Sequence, residues 1–518
     1  MNRSRFSGWF QRSIVSLLLM VFVWNAMPAT AQARSETIVA AQSIQPYLEE
    51  VIDRVTEFRL DNGMKFIVLE NKEAPVVSFV TYANVGGANE PDGKTGVAHF
   101  LEHLAFKGTK QIGTTDYAAE AKIFARQDEL FDKIKASKAA GKEKDLTQLE
   151  QEFAQLEKEA EKYVKQNEFG RIVEQAGGEG LNAFTSADET AYFYSFPSNK
   201  VELWMSLESE RFLEPVFREF FKEREVILEE RRLRTDNNPL GQMMEAFIDK
   251  AFSVHPYKRP VIGYDEDIRN LTREDVRQFF DTYYQPNNIT VAIAGDVEPT
   301  QIQKLAQVYF GRYAAKSKPP EVTKVEPKQT QTQEVTLELP SQPWYLEGYH
   351  RPQLNHPDNA IYEVIAGLMS NGRTSRLYKS LVEQKQVALS AQGFNGFPGN
   401  KYPNLMLFYA LTAPNTTVEK VAQALNIELE RIKNEPVAQQ ELEKVQNQLR
   451  ADLLRSLDSN LGMAKLLAEY DIKTGNWRNV FKQLDAISSV TPAEIQRVAK
   501  ATFTPENRTV GRLLNKQG

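Results

Sequence analysis

The stretch 272–291, TREDVRQFFDTYYQPNNITV, returns as 491–510, TPAEIQRVAKATFTPENRTV, at a constant offset of 219 (491 − 272 = 219; 510 − 291 = 219). Thr272, Pro286, Asn288, Thr290 and Val291 are matched by Thr491, Pro505, Asn507, Thr509 and Val510, and Asp275/Glu494, Val276/Ile495 and Tyr284/Phe503 agree in character. Each copy reads as a helix, a Pro-x-Asn turn and a buried strand. The chain of 518 residues therefore divides into two α+β domains of similar fold, placed at 50–315 and 334–518. Between them, 316–333 is rich in Pro, Lys, Gln and Thr with almost no large apolar residue, and reads as a linker.

Outward from that repeat, the first domain opens with a hairpin. Val55–Leu60 and Met64–Leu69 flank Asp61, Asn62 and Gly63, and Asn-Gly between alternating apolar runs is a strong turn signal. Val76–Val85 reads as a strand, Val97–Phe106 as a helix, 181–196 as strand, and 215–234 and 273–284 as helices. The segment 119–166 differs in kind. Leu146, Leu149, Phe153, Leu156, Ala160 and Tyr163 step by three and four, as do Ile123, Leu130 and Ile134, interrupted by Gln127. This heptad rhythm, with a turn at Ala139–Lys142, predicts a protruding coiled-coil hairpin inserted into the first domain, either a stiff solvated spacer or a docking arm for a partner.

Composition narrows the function. Net charge is −6 and both signs are evenly used, without the basic stripe of a nucleic-acid binder, so no nucleic-acid partner is expected. With no cysteine, thiolate metal sites, disulfides, cysteine nucleophiles and a lipoprotein anchor are all excluded. Residues 1–33 have the form of a secretory signal: Arg3, Arg5 and Arg12, the apolar run Ile14–Trp24, then small residues from Ala29 to Ala33. An uncleaved anchor is the alternative, but the apolar run is shorter than the roughly 20 residues of a span. The expected mature protein is exported, to a bacterial periplasm or the medium, and has no stable membrane span.

Chemistry concentrates at His99-Phe100-Leu101-Glu102-His103, which holds two of only five histidines. On a helix, i and i+4 lie on one face, so both imidazoles can reach one metal ion. Glu102 sits on the adjoining edge, placed to hold a water molecule and take its proton as it attacks a peptide carbonyl. His-x-x-Glu-His is the inverted zinc-protease motif. A catalytic zinc wants a third protein ligand. His255 adjoins Pro256, and His350 and His356 lie beyond the linker, so a carboxylate of 223–230 is the better source. Glu223 and Glu230, seven apart, share a face, but spacing alone leaves Glu223, Glu225, Glu229 and Glu230 all open.

Together with Phe106–Thr109, Leu181–Ser186 (LNAFTS), Glu223–Glu230 (EREVILEE), His255–Tyr257 and the Pro286–Asn288 strand entry, this helix resembles the inverzincin family of pitrilysin, insulin-degrading enzyme and mitochondrial processing peptidase. The resemblance runs from about Val55 to Lys516 and implies two pitrilysin-like domains. It further implies one Zn2+ per chain held by His99, His103 and Glu230, with Glu102 as general base and Glu223 as a carboxylate that orients a ligand. Asn182, Ala183 and Phe184 would lie on an edge strand to which an extended peptide substrate adds. The spacing from His103 to the distal glutamate exceeds the family's, and the hairpin accounts for the excess.

One departure is chemical. Active single-chain members carry an arginine and a tyrosine seven residues apart in the second half, which bind substrate and stabilise the oxyanion. Here those positions hold Val382 and Leu389, while nearby Arg376 and Tyr378 have the wrong spacing. In the family's two-subunit branch the partner supplies that pair, so the expectation is a heterodimer with a related zinc-free subunit. The alternatives are a non-catalytic scaffold keeping the fold, which an intact motif disfavours, and a helical adaptor, which leaves the metal residues unexplained. Manganese or cobalt could also occupy a His₂Glu site in vitro.

Overall fold

The structure, a computed structural model, describes residues 45–516, so the signal expected over 1–33 lies outside the described residues. The chain divides into units 1–49 and 50–518; of the first, only the start of the helix Gln45–Asp53 is described, and both sheets belong to the second.

Two mixed sheets carry the fold. The first has six strands in the order β1-β2-β6-β3-β5-β4, with β1 Val55–Arg59, β2 Lys65–Glu70, β3 Val76–Ala83, β4 Glu179–Thr185, β5 Thr190–Pro197 and β6 Ile289–Gly295. The second has five in the order β7-β11-β8-β10-β9, with β7 Gln333–Leu339, β8 Trp344–Arg351, β9 Ala388–Phe397, β10 Asn404–Thr412 and β11 Arg508–Asn515. Without β1 the two orders are the same. The parallel pair β2/β6 answers β7/β11, and all other pairs are antiparallel. The repeat seen in sequence is one structural device used twice. Thr272 and Thr491 each close a capping box with Asp275 and Glu494, starting a helix that delivers the chain through a Pro-x-Asn turn into β6 or β11.

The halves exchange a helix. Pro239–Ala251 from the first half lies on β7 and β11 of the second, and Asn460–Thr474 from the second lies on β3 and β6 of the first. Phe247 reaches the second sheet because Gly348 and Gly511 leave room; a Cβ there would stand 2.9 and 3.0 Å from its ring. In return Asp471 pairs with buried Lys65 of β2 at 2.5 Å and receives the Thr290 hydroxyl at 3.2 Å, while Lys473 meets buried Glu189 at 3.0 Å. Each sheet thus buries a face against the other half. The segment 316–333, without helix or strand except where β7 begins at Gln333, is strapped to the first half, where Glu326 accepts the amides of Ser253, Val254 and His255 at 2.7–2.9 Å.

Three expectations are corrected. The strand expected over 181–196 is two, β4 and β5, because Ser186 turns the chain by taking the amides of Asp188 and Glu189 on its hydroxyl. The helix expected over 215–234 begins at Phe220 and passes at Arg232 into a π-helical segment, Arg232–Asp236. The coiled-coil hairpin, Tyr117–Ala139 and Glu143–Glu161, packs Ile123, Leu130 and Ile134 against Leu156 and Ala160 and is solvated at its tip, where no described residue of 135–155 is buried, but its base is docked on the domain rather than standing clear of it. Buried Arg218 binds Glu120 at 2.6 and 2.8 Å, Arg273 binds Asp128, and Phe131 and Phe153 close on Phe221 at 5.1 and 4.7 Å. Gln127, the interruption in the heptads, is buried beside Arg273.

Candidate metal centre

The helix Val97–Leu104 starts at Gly96, whose φ of +88° favours glycine and where a Cβ would strike the Ile262 carbonyl at 2.6 Å. The free amides of its first turn go to Glu90, which accepts from Gly96 at 3.0 Å and Ala98 at 2.9 Å. Val97, Ala98, Phe100, Leu101 and Leu104 are buried, and that packing aims the opposite face at the site. Phe100 stacks on Phe220, the first residue of the helix Phe220–Arg231, with ring centroids 4.6 Å apart. This contact couples the helix of the histidines to the helix of the glutamates.

Donor atoms of His99, His103 and Glu230 all lie within 4.8 Å of one another. Nε2 of His99 and of His103 face the same oxygen, Oε2 of Glu230, at 3.7 and 3.5 Å. Those separations leave room for an ion about 2 Å from each donor, and two imidazoles with one carboxylate are a zinc-type set. The residues fit the metal. Of the other carboxylates in the helix, Glu225 and Glu229 have side chains 63 % and 52 % exposed and face away. Glu223 is buried; its Oε2 meets His103 Nδ1 at 3.3 Å, which holds the Nδ1 edge outward and turns Nε2 into the site. Lys107 holds the other Glu223 oxygen at 2.5 Å and reaches Glu219 at 3.3 Å.

Burial pushes His99 down to about 3, helped by the charge of His103, so it stays neutral. Burial would lower His103 as well, but Glu223 and Glu230 outweigh it and hold it up at about 9. Burial opposes ionisation of Glu230 also, yet His103, His99 and Arg234 hold it down at about 2. Glu102 is raised by burial, against the pull of His103 and of Thr185, whose hydroxyl donates to Glu102 Oε2 at 2.6 Å.

Thr185 ends β4, the edge strand of the first sheet. Alternation along β4 sets its roles: Thr185 and Ala183 point to the metal-helix side, while Phe184 rests on Tyr82 and Phe193 across the sheet at 6.1 and 6.3 Å. Asn182 Oδ1 takes the Ala183 amide at 2.8 Å. Val382 packs partly against the core of the second half and Leu389 is exposed on β9; Arg376 is engaged in a two-pronged pair with Glu441 at 2.9 and 2.7 Å. Thr185, Lys107, Glu90 and Arg234 received no role from sequence. Only Arg234 carried a local signal, the i,i+4 spacing from Glu230, at 2.8 Å in the structure.

The family profile described as "Insulinase (Peptidase family M16)" matches residues 66–125 and 156–265, passing over the middle of the hairpin, and "Peptidase M16 inactive domain" matches 270–449. The chain is 31 % identical over 443 residues to the zinc protease PqqE of Helicobacter pylori, covering 84 % of this chain and 86 % of that protein. It is 20 % identical to the uncharacterized zinc protease YmxG of Bacillus subtilis, over 87 % of this chain and 96 % of that one. Among solved structures, a protease from Helicobacter pylori superposes with a TM-score of 0.75 at 27 % identity, over 89 % of this chain and 99 % of that chain. The periplasmic protease PqqL of Escherichia coli has the same fold at a TM-score of 0.66 and 17 % identity, with this chain spanning 48 % of it.

Proposed function

This chain belongs to the M16 family of zinc peptidases, and on that premise we propose that it is an exported zinc metalloendopeptidase acting on extended or unfolded peptides. The observation that carries the reading is the convergence of His99, His103 and Glu230 beside Glu102, a general base already held in place by Thr185.

His99, His103 and Glu230 would hold the ion, which when bound acidifies a water molecule and polarises the carbonyl of the substrate. Glu102 accepts the proton of that water on its carboxylate and passes it to the departing amine. Burial, which disfavours the Glu102 anion, makes it the stronger base. Thr185 fixes Oε2, leaving Oε1 for the proton. Glu223 and Lys107 keep the His103 ring in the orientation that offers Nε2. The open side of β4 gives an extended peptide a backbone to pair with, next to the base.

Export rests on the N-terminal signal pattern; among the described residues no helix is long and apolar enough to cross a membrane. Val382 and Leu389 cannot donate a hydrogen bond to an oxyanion, which supports a related, zinc-free partner subunit that brings an arginine and a tyrosine.

The test is cleavage of an unstructured fluorogenic peptide by the mature chain, with and without chelator. Chelator-sensitive cleavage supports the peptidase. A zinc-loaded chain that cleaves only after its natural partner is added supports the two-subunit form, and a zinc-loaded natural complex that cleaves nothing refutes both.

A further inference from the structure

Glu230 uses its two carboxylate oxygens differently. Oε2 faces the Nε2 atoms of His99 and His103, whereas Oε1 is paired with Nη2 of Arg234 at 2.8 Å. The neighbouring arginines are engaged elsewhere: Arg231 with Glu245 at 2.9 Å and the Gly263 carbonyl at 2.7 Å, and Arg232 with Glu229. Arg234 lies in the π-helical segment Arg232–Asp236, and its placement there is built from below. Gly241, in the first turn of the helix Pro239–Ala251, sits so close that a Cβ would stand 2.0 Å from the Arg234 carbonyl oxygen and 3.0 Å from Thr235 Cα. Asn238 caps that helix on the amides of Leu240 and Gly241, and the helix is itself held on the second sheet. The π turn is therefore pressed between two packed elements, and Arg234 is aimed at one oxygen of one ligand.

We propose that Arg234 is a positioning residue that restricts Glu230 to one-oxygen coordination, keeping Oε1 off the metal and so preserving the open position that a catalytic site needs for water. A carboxylate with a free second oxygen can chelate the ion and fill that position. A guanidinium on Oε1 makes chelation cost a charge-assisted contact. The carboxylate lies between guanidinium and ion, and Arg234 is 43 % exposed, so solvent and the intervening negative charge both screen the repulsion between the two cations.

The inference rests on reading His99, His103 and Glu230 as a metal site, and Co2+ substitution of the full mature chain separates the two claims. The visible band of Co2+ is intense in four-coordinate sites and weak at higher coordination number. The wild type is expected to show the intense band. In Arg234→Ala the band should lose intensity as Oε1 joins the ion, and the metal affinity, measured by chelator competition, should tighten rather than loosen, because a further donor is gained. Arg234→Lys, which keeps a cation on Oε1, should hold both close to the wild type. A wild type that binds no Co2+ removes the site and the proposal with it. A loaded wild type whose spectrum is unchanged in Arg234→Ala, or Lys and Ala variants that behave alike, overturns the role of Arg234 alone.

Discussion

The hydroxyl of Thr185, the last residue of the edge strand, donates to Glu102 Oε2 across 2.6 Å, so the strand on which a peptide would lie and the base that would activate the attacking water are one hydrogen-bonded unit. Burial raises the Glu102 carboxyl while His103 and the Thr185 hydroxyl hold it down. Removing the hydroxyl takes away one downward influence, so Glu102 binds its proton to higher pH. Thr185→Val should move the acid limb of the kcat/KM profile upward and reduce the plateau about tenfold. Thr185→Ser should restore both; a Val profile that superposes on the wild type refutes the coupling.

Glu102→Gln keeps the shape of the side chain and its contact with Thr185 but cannot take a proton. Peptide cleavage should fall by roughly 10²–10⁴-fold with zinc content unchanged by elemental analysis. Unaltered function in the cell alongside lost cleavage would favour a scaffold.

His255 is buried, accepts the Tyr257 amide on Nδ1 at 3.1 Å, and is pushed by burial down to about 4 from an ordinary 6.5. Its folded value is depressed, so the unfolded chain binds the proton first as acid is added. The stabilisation is whole above about 6.5 and is lost as pH falls through about 4. Differential scanning calorimetry from pH 7 to 4 should show a Tm decline that is a few degrees shallower in His255→Asn, where the amide oxygen can replace Nδ1 as the cap. Parallel declines would count against it.

The exchanged helices predict mutual dependence. Residues 50–315 made alone lack Asn460–Thr474 over β3 and β6, and 334–518 alone lack Pro239–Ala251 over β7 and β11. Each should be recovered largely insoluble, with its sheet face exposed. Co-expression should return a soluble complex, and a soluble, cooperatively melting 50–315 fragment would contradict this.

The sequence by itself determined what depends on local periodicity. The i,i+4 histidines with Glu102 beside them, the Asn62-Gly63 hairpin, the heptads of the hairpin and the Thr-capped repeat were legible because helical and strand geometry fix which neighbours share a face. Tertiary structure decided what depends on how those faces meet. Spacing left four glutamates open; the stacking of Phe100 on Phe220 turns Glu230 and Glu223 inward and leaves Glu225 and Glu229 in solvent. Thr185 stands 83 residues from Glu102, Lys107 116 residues from Glu223, and the exchanged helices cover sheets of the opposite half, so no window of sequence contains both partners (185 − 102 = 83; 223 − 107 = 116). Composition and periodicity carry the preference of each segment, but the choice of partner is made by burial, which only the assembled chain provides.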